Sequence, residues 1–139
     1  MKIVLDTNCL LIAVPNKSAY HSILTALQQG RYTLCCSNEI LMEYEEKLTQ
    51  FYKRQVAGDI LNFIFYSLNT LQVTPFFQWN IISVDPDDNK FVDCALNAGA
   101  DFIVTNDKHF NILKDITFPK VNVIDIGTFK NLITTMING

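Results

Sequence analysis

Lys2–Asn8 reads KIVLDTN. Ile3, Val4 and Leu5 run continuously apolar rather than alternating, and the run then stops at an acid, Asp6. A short, unbroken apolar run is how a strand covered on both faces reads, as in a parallel sheet. Three further runs repeat it: Tyr32–Cys36 (YTLCC), Phe102–Thr105 (FIVT) and Val121–Ile126 (VNVIDI). Ile81–Val84 (IISV) is a weaker fifth. Helical patterns lie between them. Ser18 predicts the N-cap of a helix over Ala19–Gln29, with Gly30 after its end. Ser37 or Asn38 opens a helix to Thr49. Asp59–Leu71 is a strongly apolar helix. Pro86 and Asp87 open a helix through Asn97 that Gly99 closes, and Thr128 caps Phe129–Met136. Strands alternating with helices predict an α/β fold with a mainly parallel sheet, as one domain spanning 1–139. Gln72–Asn80 (QVTPFFQWN) reads as an irregular connector. Its Phe76, Phe77 and Trp79 are expected to pack beneath a loop rather than to form an interface.

Composition narrows the class. Of 139 residues, 49% are apolar and 18% charged, which excludes a disordered chain. No apolar run approaches the roughly 18 residues of a membrane span, so no membrane role is expected. An acid at position 6 comes too early for a secretory apolar stretch, and a cytoplasmic location is expected. The net charge of −3 is wrong for a protein that coats nucleic acid with lysine and arginine. If nucleic acid is a partner, something else must hold its phosphates, and a divalent metal is one candidate. Cys9, Cys35, Cys36 and Cys94 have no C-x-x-C spacing, and His21 and His109 lie far from them in sequence. Zinc ligation is not indicated, and buried reduced thiols are expected.

The placement of the acids is more telling. Ligands of open parallel sheets sit at the carboxyl ends of the strands. The first strand ends at Asp6, followed by Thr7 and Asn8. FIVT runs into Thr105-Asn106-Asp107, and the weak run leads into Asp85-Pro86-Asp87-Asp88. Carboxylates gathered at one edge repel one another unless a cation joins them. At about 100° per residue, Asp88 projects onto the buried arc of Phe91, Val92, Ala95 and Leu96. Lys90, Asp93 and Asn97 project to the opposite side, where Asp93 is expected to be solvated. In the helix after Ser37, Ile40, Leu41, Tyr44 and Leu48 form the apolar arc. Glu46 points away from it, while Glu43 and Glu45 flank it equally, so periodicity leaves those two open. Helix capping is an ordinary role for Asp87, Asp88 or Asp107. An acid ending a buried strand, as Asp6 does, has no routine structural role.

VLDTN at a strand exit, S-x-E-x-x-x-E-Y in a mid-chain helix, and DPDDNKFVDCAL followed by GADFIVTNDKHF together resemble the PIN-domain family. Within it the chain is most similar to the toxin ribonucleases of bacterial toxin–antitoxin pairs. The likeness spans Lys2 to the VNVIDIGTF segment. It implies a three-layer α/β/α sandwich with a mainly parallel sheet of four or five strands, and a metal-dependent ribonuclease site. Residue by residue, it implies Asp6, Glu43, Asp88 and Asp107 as catalytic and metal-binding acids, with Thr7, Asn8 and Thr105 as supporting polar groups. Asp85 and Asp87 stand beside Asp88 and compete for its assignment.

Carboxylates without histidine or cysteine suit Mg²⁺ or Mn²⁺, and the expected reaction is in-line phosphodiester hydrolysis. A single-stranded segment of RNA is the expected substrate, its flanking phosphates held by some of Lys17, Lys53, Arg54, Lys90 and Lys108. An antitoxin protein and a second copy of the chain are the expected protein partners. Three rivals remain. A processing nuclease without an antitoxin would carry the same acids. A phosphotransfer or receiver-like domain would carry a second acid near Asp6, where this chain has Asp6-Thr7-Asn8. A non-catalytic binding module has no use for the full acid set.

Overall fold

The computed structural model describes residues 1–76, 78–82 and 86–138. Among them, five strands form one parallel sheet: β1 (Lys2–Leu5), β2 (Thr33–Cys36), β3 (Thr70–Gln72), β4 (Phe102–Val104) and β5 (Val123–Ile124), in the order β3-β2-β1-β4-β5. The helices are α1 (Thr7–Ala13), α2 (Ser22–Gln28), α3 (Asn38–Phe51), α4 (Arg54–Tyr66), α5 (Asn89–Ala98) and α6 (Ile126–Asn138). Ile3, Val4, Leu5, Cys35, Cys36, Ile103 and Val104 are all completely buried. Consecutive strand residues point to opposite faces, so both faces of the sheet are covered. The chain adds strands outward from β1 to β2 to β3, then returns past β1 to β4 and β5. Right-handed crossovers place α1 to α4 on one face and α5, which packs on β1, β2 and β4, on the other. This is the expected α/β/α sandwich, and its strand order reverses between β1 and β4.

The register β1–β4 is Ile3↔Phe102, Val4↔Ile103 and Leu5↔Val104. Asp6 continues the ladder through its amide to the Val104 carbonyl, 3.0 Å. With φ −62° and ψ 145°, Asp6 is also the N-cap of α1, so strand passes into helix within one residue. Ser37 caps α3 by accepting from the Ile40 amide, as anticipated. Gly99 ends α5 at φ 65°, where an L side chain is strained.

Several expectations are corrected. The apolar helix before the second sheet edge is Arg54–Tyr66, and Thr70–Gln72 is the edge strand β3 rather than its last turn. Ser18 accepts from the Tyr20 amide in a turn, and α2 starts only at Ser22. Asp125, not Thr128, supplies the acceptor at the start of α6, taking the Thr128 amide at 2.7 Å. Ile81 and Ile82 belong to no strand, and the rest of IISV lies outside the described residues, as do Asp85 and Phe77. Phe76 is 85% exposed rather than packed under a loop, and the Trp79 ring meets Phe118 edge-on at 6.4 Å.

Asp93 is 7% exposed, not solvated. The connector lies along the polar stripe of α5 and is held by it. Asn97 Oδ1 accepts from the Phe76 amide (3.1 Å) and Asp93 Oδ1 from the Trp79 amide (3.0 Å). The Asn89 side chain pairs with both the amide and the carbonyl of Ile82, each at 2.8 Å. Asn89, Asp93 and Asn97 are spaced by four, one face of a helix. Burial pushes the Asp93 carboxyl above its ordinary value.

Candidate metal centre

The site stands on the carboxyl edge of the sheet, where β1 and β4 part. Asp6 is 5% exposed. Its Oδ2 accepts from the Thr105 hydroxyl at 2.8 Å, and the same hydroxyl accepts from the Asp107 amide at 3.0 Å. Thr105, itself 4% exposed, thus ties the two strand exits together. Burial pushes the Asp6 carboxyl up to about 6, and the negative charges of Asp107 and Glu43 add to the rise, against the lowering by the Thr105 hydrogen bond.

Asp107 caps the 3₁₀ segment Lys108–Asp115, accepting from the His109 amide at 2.9 Å; its Oδ1 lies 3.6 Å from His109 Nδ1. Asp88 ends the 3₁₀ turn Pro86–Asp88 that leads into α5. One carboxylate oxygen each from Asp88 and Asp107 and a ring nitrogen of His109 lie within 4.8 Å of one another. His109 has no cysteine near it in sequence, so ligand spacing alone does not point to it. Its place two residues after Asp107 was the available signal.

Glu43 enters from α3. The Tyr44 hydroxyl, fully buried, donates to the Leu5 carbonyl at 2.5 Å and fixes this turn of α3 against the end of β1. Glu43 Oε2 then accepts from the Thr7 hydroxyl, and Oε1 lies 2.8 Å from Lys90 Nζ. Glu45 and Glu46 are exposed. Lys90, projected to the solvated side of its helix, is instead 10% exposed at its side chain, and reaches Asp87 Oδ1 at 3.7 Å as well. Asp87 is 84% exposed. Asn8 is exposed in the first turn of α1, whereas Thr7 is 4% exposed. The remaining cations expected near phosphate, Lys17, Lys53, Arg54 and Lys108, are exposed. A depression beside the β4 exit is lined by Thr105, Asp107, Lys108 and Lys114.

Asp6, Glu43, Asp88 and Asp107 therefore come from two strand exits and from helices on both faces. Asp88, Asp107 and His109 bring donor atoms together, Asp6 is tied to Asp107 through Thr105, and Glu43 is engaged with Thr7 and Lys90 while its charge also acts on Asp6. The donors present are carboxylate oxygens, a hydroxyl and an imidazole. That set fits Mg²⁺ or Mn²⁺, and the imidazole favours the latter. A buried carboxyl destabilised by neighbouring negative charge is the local condition that a cation relieves.

Fold and site together define the class: an α/β protein with an acid-lined site at the switch point of a parallel sheet. The PIN-domain family profile matches residues 2–109, and the chain belongs to the PIN-domain family. Among solved structures it is similar to VapBC2 from Rickettsia felis, bound to a DNA fragment from their promoter. The TM-score is 0.62 at 19% identity, over 90% of this chain and 98% of that one, which shows the shared fold. No curated protein sequence matches the chain. Among the described residues, no helix is long and apolar enough to cross a membrane.

Proposed function

We propose that the chain is a metal-dependent endoribonuclease, and the toxin of a toxin–antitoxin pair. The observation that carries the nuclease reading is the proximity of Asp88 and Asp107, with donor atoms within 4.8 Å, beside a buried Asp6 tied to the same strand exit by Thr105. Membership of the PIN-domain family supports the same reading. Asp6, Asp88 and Asp107 would hold Mg²⁺ or Mn²⁺, with His109 as a nitrogen donor at its exposed side. The cation would supply an activated water and neutralise the leaving oxyanion. Thr105 keeps Asp6 aligned, and Thr7 keeps Glu43 aligned, so neither acid has to search for its rotamer. The substrate proposed is a single-stranded segment of RNA, with Lys108 and Lys114, which line the depression beside Asp107, placed for its flanking phosphates. The fold shared with VapBC2 supports an antitoxin partner, and a homodimer acting in the cytoplasm completes the proposal.

The test is cleavage of a single-stranded RNA in Mn²⁺. The wild-type chain should cleave it and lose the activity in EDTA. Asp88→Asn and Asp6→Asn should each lower the rate by about a hundredfold or more, the scale of removing a group acting on the transition state, with an unchanged circular dichroism spectrum. Wild-type rates in either variant overturn the site. For the toxin reading, induction of the chain should arrest growth and co-expression of the product of the neighbouring gene should restore it. Harmless induction of a nuclease-active chain would leave a processing nuclease.

A further inference from the structure

Both carboxylate oxygens of Glu43 already have protein partners: the Thr7 hydroxyl on Oε2, and the Lys90 ammonium 2.8 Å from Oε1. This lysine is unusual in its placement. It lies on the polar side of α5, yet its side chain is 10% exposed, and its Nζ also sits 3.7 Å from Asp87 Oδ1 and 5.7 Å from the Phe91 ring centroid. Lysines are rarely buried unless something holds the charge. The negative charges of Glu43, Asp87 and Asp88 all act on it. Asp88 thus acts on Lys90 by its charge and brings a carboxylate oxygen within 4.8 Å of donor atoms of Asp107 and His109. The Glu43 carboxylate is therefore already paired with a covalently tethered cation.

Resting on the metal-site reading above, we propose that Lys90 occupies the place of a second metal ion: the chain binds a single divalent cation on the Asp6, Asp88 and Asp107 side, and the ammonium supplies the fixed positive charge against Glu43. A dication next to Glu43 would have to displace the ammonium from a 2.8 Å contact, or sit beside it against like-charge repulsion. Lys90 is then a positioning residue. It holds the Glu43 carboxylate and its own charge in place whatever the metal concentration, which an exchangeable ion does not.

The experiment counts Mn²⁺ ions on the full chain by calorimetry and by electron paramagnetic resonance. The wild type should bind one ion. Lys90→Gln should bind two, because Glu43 is released as a ligand, and Lys90→Met, which keeps the stem over Phe91, should do the same. Lys90→Gln/Glu43→Gln should return to one, and Lys90→Arg should remain at one. A merely structural ion pair predicts no rise in stoichiometry on removing the lysine. Two ions on the wild type, or one on both folded Lys90 variants, overturns the proposal while leaving the metal site standing. No Mn²⁺ bound by the wild type overturns the proposal and the metal-site reading together.

Discussion

Asp6→Asn should make the metal-free chain more stable while removing its cation. Burial chiefly, with the charges of Asp107 and Glu43, pushes the Asp6 carboxyl from its ordinary 3.8 to about 6. A raised acid has a definite sign. Between those values the folded chain holds the proton and the unfolded chain has lost it, so metal-free stability falls as pH rises from about 4 through about 6. At about 1.4 kcal/mol per pKa unit, the ionised carboxylate costs the folded chain roughly 3 kcal/mol near neutral pH. Asparagine keeps an oxygen that accepts from Thr105 and loses the charge. Subtracting about 1 kcal/mol for the weaker, now neutral, hydrogen bond leaves a gain of about 2 kcal/mol. Urea unfolding in EDTA, followed by circular dichroism, should show the variant's midpoint raised by about 1 M at an m-value of 1–3 kcal/mol/M. The gain should be largely gone at pH 4, where the native carboxyl is protonated anyway. Mn²⁺ should reverse the order, stabilising the wild type and not the variant. A variant less stable than wild type in EDTA at neutral pH, or a gain of the same size at pH 4, would refute the reasoning.

Two further outcomes are expected. Asp93→Ala removes the acceptor for the Trp79 amide and should cost about 1–3 kcal/mol. Trp79 is the single tryptophan, so its emission should shift to the red and its quenching by acrylamide should rise, and an unchanged spectrum would show the connector to be held by other means. Cys9, Cys35, Cys36 and Cys94 are all free and buried, and burial pushes the Cys9 and Cys94 thiols up to about 12. With roughly one thiolate in ten thousand at pH 8, the native chain should resist a disulfide reagent that labels all four in urea; rapid labelling without denaturant would contradict that burial.

What was legible in the sequence, and what was not, follows from the range of the interactions. β1, β2 and β4 could be read because each is a consecutive apolar run buried on both faces. β3 has three residues, lies at the sheet edge and pairs only with β2, and it follows an apolar helix closely enough to read as its continuation. α1 was not anticipated because Asp6 ends a strand and caps a helix at once, with no loop residues to announce the change. At the site Asp88 was expected on the inward arc of α5, and it ends the 3₁₀ turn just before that helix, partly buried. The same projection misplaced Asp93 and Lys90, because a helical wheel knows nothing of the connector that covers one residue or of the α3 carboxylate that draws in the other. The choice between Glu43 and Glu45 was likewise tertiary: Tyr44 reaches Leu5 and Thr7 reaches Glu43, and neither contact has a local signature. These failures share a cause. Residues whose local pattern conflicts with their burial, an ionised acid at a strand exit or a lysine turned inward, are held there by partners distant in sequence, and such conflicts concentrate where a fold gives up stability for chemistry.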